Sequence, residues 1–164
     1  MLEISGLARQ LQLLVDEQQI RHVMTDYAAF IDARDFDRLR SVFADDVVVD
    51  YHNGRTVVTG ADAVVGYIIE NTAHLAWQHH NVSPYRIDVT GDTAEGLAYL
   101  ISHQVIRDDP SHVLMMAAHY RTTFTRAADR WRISHMVHTI KLSNFLPVTA
   151  VAPVDVHIPP AVAP

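Results

Sequence analysis

Asp32 and His79 are the two side chains of this chain best equipped for chemistry, and each is placed oddly for its surroundings. Asp32 lies at the buried edge of an amphipathic segment, in Phe30-Ile31-Asp32-Ala33-Arg34-Asp35-Phe36. His79 opens a long strand-like run, in Trp77-Gln78-His79-His80-Asn81-Val82. A carboxylate that fixes an imidazole's tautomer leaves the other ring nitrogen free, the minimal equipment for a general base near neutral pH. The pair can work only if the fold brings both into one apolar pocket. Strand alternation puts His79 and His80 on opposite faces, and on this reading His79 faces inward. A one-residue slip in register would exchange their roles.

The elements that must position them can be read from periodicity. Ile20, Val23, Met24, Tyr27, Ala28 and Ile31 recur at helical spacing, with Asp16, Glu17 and Gln18 expected in the first turns. Asp35 is a cap for a short second helix from Phe36 to Phe43. Val47, Val49 and Tyr51 alternate as a strand, and Asn53-Gly54 is a hairpin turn returning through Thr56 to Val58. Gly60 precedes a third helix with Ala63, Val64, Tyr67 and Ile68 as its stripe. From His74 onward long strands are expected over about 77–89, 94–107, 112–126 and 131–142, joined by tight turns. Helices followed by an antiparallel meander make an α+β domain. We read residues 1–144 as one domain and 145–164, rich in Pro, Val and Ala, as an extended tail.

Composition limits the function classes. The chain has 164 residues, 49% of them apolar, and a net charge of −6 without a basic stripe. That suits one folded domain and makes nucleic acid and anionic membranes poor partners. No cysteine is present, which excludes disulfides and thiolate metal sites and fits a cytoplasmic protein. No apolar run is long enough to span a bilayer, and the first residues lack signal-peptide character. Eleven histidines are present, six of them (His79, His80, His103, His119, His135, His138) in the body of expected strands. Spread over four strands without accompanying carboxylates, they form no metal motif, so no metal or cofactor is expected.

The order of elements, with Asp32-Ala33-Arg34-Asp35-Phe36-Asp37-Arg38-Leu39-Arg40, Val49-Asp50-Tyr51 and the run from His79 to Gly96, resembles the SnoaL-like branch of the nuclear-transport-factor-2-like superfamily. Within that branch the chain resembles scytalone dehydratase, bile-acid dehydratase and hexachlorocyclohexane dehydrochlorinase. The resemblance implies a cone-shaped barrel, its curved and mostly antiparallel sheet wrapped around about three N-terminal helices. It also implies an Asp–His dyad falling on Asp32 and His79, with Tyr51 polarising a substrate carbonyl and Tyr27 as a further catalytic phenol. His103, Tyr120, Leu100, Met116 and Phe124 are expected to wall the pocket. Ala118 and Tyr120 replace a serine and an asparagine that contact scytalone in the dehydratase. Gln104 falls near its second catalytic histidine, so scytalone itself is not the expected substrate.

The expectation is a cofactor-free lyase of dehydratase type, or an isomerase, acting on a cyclic, largely apolar small molecule. The same fold also hosts polyketide-cyclase-like enzymes and non-catalytic small-molecule-binding domains. Tyr51-His52-Asn53 and Arg86-Ile87-Asp88 echo an epoxide hydrolase, but Arg86 and Asp88 stand before the Gly91-Asp92 turn, one strand too early. Val113, Met115 and Ala117 are expected on the outer sheet face, which points to a homo-oligomer, dimer or trimer.

Overall fold

The computed structural model describes residues 2–148, with side chains from residue 6. Helix α1 (Leu2–Ala33) precedes α2 (Phe36–Ser41), the hairpin β1 (Phe43–Tyr51) and β2 (Thr56–Thr59), and α3 (Ala61–Thr72). The long strands β3 (Leu75–Thr90), β4 (Thr93–Ile106), β5 (Asp109–Ala127) and β6 (Arg130–Pro147) follow. They form one six-stranded sheet in the order β2-β1-β6-β5-β4-β3, antiparallel except where β1 runs parallel to β6. The α+β architecture is as expected. The sheet is curved but not closed, with β2 and β3 as its free edges.

Local signals explain most boundaries. The Asp35 side chain accepts a bond from Arg38 N at 3.1 Å, capping α2. His52, Asn53 and Gly54 all have positive φ between β1 and β2, a sequence of left-handed residues that Asn and Gly tolerate best. The inner face of α1 buries Ile20, Met24, Tyr27, Ala28 and Ile31 against a core of Phe43, Val47, Val49, Phe124, Ile133 and Met136. Burying side chains of this size contributes about 1.5–3 kcal/mol each.

Several boundaries differ from the sequence reading: α2 ends at Ser41, so Phe43 opens β1 instead of closing the helix, and β5 begins at Asp109. Helix α1 begins at Leu2, so Asp16 is not in a first turn. It is a buried mid-helix carboxylate that accepts from Arg126 Nη1 at 2.6 Å and from Trp131 Nε1 at 3.1 Å, tying α1 to the β5–β6 end of the sheet. Strand β6 runs through Pro147, pairing Phe145 with Leu114 and Leu146 with Val113. Residues 145–147 are therefore strand rather than tail, and the remainder of the expected tail, 149–164, lies outside the described residues. Among the described residues no helix is long and apolar enough to cross a membrane.

Candidate active site

The C-terminal end of α1 is fastened to the start of β3 by three side chains. Gln78 Nε2 donates to Ile31 O at 2.8 Å, and Arg34 Nη2 donates to Leu75 O at 2.8 Å and to Thr72 O at 3.2 Å. The third is Asp32, a carboxylate at the negative end of the helix dipole, where only strong local partners offset the repulsion. Its Oδ2 accepts from the His80 backbone N at 2.8 Å, and its Oδ1 lies 2.5 Å from His80 Nδ1. A carboxylate in that place accepts the Nδ1 proton, which leaves His80 Nε2 as the unprotonated nitrogen of the neutral ring.

The histidine beside Asp32 is thus His80, not His79. His79 Nδ1 stands 3.8 Å from Asp32 Oδ2, beyond hydrogen-bonding reach, and its side chain is 58% exposed, against 9% for His80. It stacks on Trp77 on the outer face. The physical reason is a β-bulge. Ile87 is buried, and unbroken alternation back from it would bring His79 inward. The register of β3 on β4 shifts between Pro84 and Arg86, however, so the extra residue, Tyr85, reverses the parity of everything before it. Gln78 and His80 then face in.

His80 lines a cavity of about 290 Å³ between the helices and the concave face of the sheet. Of the residues expected there, Tyr27, Tyr51, Tyr120, Leu100 and Met116 line it. Asp32 stands behind His80 rather than on the wall. His103 does not reach the cavity: it pairs with His79 on β3 and Met115 on β5, on the outer side of the sheet. Phe124 is wholly buried in the core toward the other end of β5, packed against Gly96.

Three phenols meet in the wall. Tyr27 makes edge-on contacts with Tyr120 at 5.7 Å and Phe43 at 5.9 Å, and Tyr51 stacks on Tyr67 at 4.9 Å. Burial pushes the Tyr27 hydroxyl up to about 12, and burial with the neighbouring phenols holds Tyr51 and Tyr120 well above the usual range. All three are therefore proton-bearing donors near neutral pH. The Tyr51 hydroxyl is close enough to Tyr27 to be influenced by it but has no partner in hydrogen-bonding geometry.

Sequence reasoning missed His138 and Gln78 as cavity residues. His138 packs on Tyr120 at 5.0 Å and meets Tyr51 edge-on at 6.3 Å. Burial pulls its pKa down to about 4, with His52, His80 and His119 adding to the effect. Its Nε2 and Gln78 Oε1 are buried without partners. Each such orphan costs about 1–3 kcal/mol. Inward alternation from Trp131 and Ile133 would have pointed His138 out. A register shift in the β5–β6 pairing, between Thr123 and Phe124, puts an extra residue into β6 and reverses that too, so Met136 and His138 are buried.

Arg86 and Asp88 pair with each other at 2.8 Å on an exposed hollow away from this cavity. Among the described residues, no group of three or more His, Asp or Glu side chains is arranged to hold a metal ion.

Comparison with known proteins agrees with this architecture. The SnoaL-like domain model matches residues 12–137. An uncharacterized protein of Mycobacterium tuberculosis (strain H37Rv), Rv2910c, is 27% identical over 124 residues, covering 76% of this chain and 84% of the relative. A hexachlorocyclohexane dehydrochlorinase, LinA type 2, superposes with a TM-score of 0.77 at 18% identity, covering 90% of this chain and 99% of that one. A scytalone dehydratase-like protein from Novosphingobium aromaticivorans superposes at 0.74 with 20% identity, covering 87% and 95%. At such identities the superpositions speak for the fold. With the family model spanning most of the chain, from α1 through the inner half of β6, the protein belongs to the SnoaL-like domain family.

Proposed function

We propose that this protein is a cofactor-free lyase of dehydratase type in which Asp32 and His80 form the general base. The observation that carries the reading is the 2.5 Å contact between Asp32 Oδ1 and His80 Nδ1, with the imidazole standing between that carboxylate and the cavity. Asp32 fixes the tautomer and steadies the imidazolium. His80 Nε2 removes a proton from carbon α to a substrate carbonyl, and Tyr51 or Tyr27 donates to the oxygen as enolate charge develops. The C–O bond to a β-hydroxyl then breaks, the carbon–carbon double bond forms, and the imidazolium returns its proton to the departing hydroxyl as water. The Asp32 carboxylate and neutral His80 imidazole are regenerated without any other reactant. An isomerase would use the same first step and return the proton to a different carbon.

Burial of Tyr27, Tyr51, Tyr120, Ile31, Ile68 and Leu100 around the cavity, with half-buried Met116 beside them, favours a cyclic, largely apolar substrate. The dehydrochlorinase among the structural neighbours is named for an elimination, which is in keeping with this reading. The test is a panel of uncharged cyclic β-hydroxyketones, followed by the ultraviolet absorbance of the conjugated enone. Substitution His80→Gln is expected to lower kcat/KM by about 10²- to 10⁴-fold. Wild-type turnover in that variant would remove His80 as the base, and a wild-type protein inert toward the whole panel would remove dehydration.

We also propose that the chain self-associates through its outer sheet face, as a dimer or trimer. Trp77, Tyr99, Ile101 and Leu142 stand about half exposed there, which supports an apolar contact. A monomer in sedimentation at micromolar concentration would refute it.

A further inference from the structure

Helix α1 has two apolar faces, and the domain uses only one. From Asp16 onward the buried side, with Ile20, Met24, Tyr27 and Ile31, lies against the sheet. Residues 6–15, before it, are exposed throughout. They carry the helix about 15 Å farther, at 1.5 Å per residue, away from the point where Arg126 and Trp131 hold Asp16. Leu7, Leu11 and Leu14 are 67%, 61% and 64% exposed in this stretch. At 3.6 residues per turn the three leucines form one stripe, on the side of the helix roughly opposite the face that Asp16 and Ile20 turn to the sheet. The chain's own sheet therefore cannot cover them. A helical segment of this length gains little from propensity alone and is held by packing of an apolar face, which here needs a partner from outside.

We propose that this stripe is a seam on which a second copy of the chain docks, with the two α1 segments side by side and parallel. In the sequence Ile4, Leu7, Leu11 and Leu14 follow the spacing of a heptad seam, Ile4 and Leu11 at a and Leu7 and Leu14 at d, the arrangement that favours parallel pairs. Ala8 and Val15 at the e positions widen the apolar strip, and Arg9 and Asp16 stand opposite it at f. Charge fixes the direction. The g positions are Glu3, Gln10 and Glu17. In a parallel pair Glu3 and Gln10 meet the partner's Ala8 and the partner's Val15, so no like charges oppose. An antiparallel pair sets Glu3 against the partner's Glu17 on both sides, a like-charge contact that disfavours it. A lipid surface fits poorly, because Arg9 is the sole basic residue in 1–18, against Glu3, Asp16 and Glu17. The SnoaL-like domain model begins at residue 12, so most of this seam precedes the shared domain. It is also separate from the outer sheet face.

The chain has no cysteine, so single cysteines report which helix faces meet. Full-length Leu14→Cys and Arg9→Cys are incubated in a glutathione redox buffer, where oxidised glutathione is reduced as the two thiols join. Identical d positions face each other across a parallel pair within disulfide reach, whereas f positions point apart. Leu14→Cys is expected to give at least about tenfold more covalent dimer than Arg9→Cys. In sedimentation of the full chain, Leu11→Lys should raise the dimer dissociation constant at least about tenfold and leave thermal unfolding unchanged, since a lysine cannot be buried in the seam. Equal cross-linking at positions 14 and 9, as would follow if residues 149–164 or a lipid surface covered the stripe, overturns the proposal. So does preferential 7–11 cross-linking in a mixture of Leu7→Cys and Leu11→Cys chains, the mark of an antiparallel pair. A Leu11→Lys protein that associates like the wild type overturns it as well. These positions lie outside the cavity and the outer sheet face, so the outcome is independent of the dyad and of the sheet contact.

Discussion

Acidification should destabilise this protein through His138, and the size of the effect follows from its burial. The ring titrates near 6.5 in an unfolded chain but at about 4 in the fold, because burial disfavours its charged form. Between those values the unfolded state holds a proton that the folded state refuses. Stability therefore falls as pH drops from about 6.5 toward 4, and the loss is complete below 4. The separation of the two pKa values corresponds to about 3 kcal/mol, a large part of the roughly 5–15 kcal/mol that holds a domain together. The perturbation is His138→Phe, which removes the titrating group and keeps an aromatic ring beside Tyr120. Urea unfolding of both proteins across pH 4 to 7.5 gives the difference in stability, in which carboxylates and other histidines common to both cancel. That difference should move by about 3 kcal/mol against the wild type on acidification, with a slope near 1.4 kcal/mol per pH unit at about pH 5. A flat difference, or one moving in the wild type's favour, would refute the claim that His138 is held neutral by burial.

Other outcomes test separate parts of the structure. His79→Gln should leave kcat/KM within about twofold of wild type, as for other exposed positions, while Asp32→Asn lowers it by about 10²- to 10⁴-fold; the reverse pattern in steady-state assays would restore His79 as the base. Asp16→Ala should cost about 1–3 kcal/mol in chemical denaturation, because it leaves the buried Trp131 N–H without its acceptor, while Arg126 keeps its pairing with Asp92. Gly96→Ala should cost about 1–3 kcal/mol, since a Cβ there would come within 2.9 Å of the Phe124 ring in a filled core. Tyr51→Phe should leave thermal stability unchanged or slightly raised, as its hydroxyl has no partner to lose; a large drop in Tm would show a bond this structure lacks.

How much of this was legible beforehand differs between fold and site. The helical spacing from Ile20 to Ile31, the Asp35 cap, the Asn53-Gly54 turn and the four long alternating runs each depend on neighbours within a few residues, and each appears where the chain places it. Local chemistry sufficed because capping, turn conformation and periodicity are local forces. Asp32, Tyr27 and Tyr51 were also visible, as polar groups interrupting apolar stripes. Facing was not. Two single-residue shifts, one in β3 between Pro84 and Arg86 and one in the β5–β6 pairing, determine that His80 and His138 point inward while His79 points out; His103 points out by plain alternation with buried Leu100 and Ser102. A bulge is a property of two strands fitted together, and no periodicity within one strand announces it. The start of α1 was hidden for a related reason: Asp16 resembled a helix-opening residue until Arg126 and Trp131, more than a hundred positions later, supplied its partners. The chain's order thus carried the architecture and the position of Asp32, and the pairing of distant strands chose which histidine meets that carboxylate.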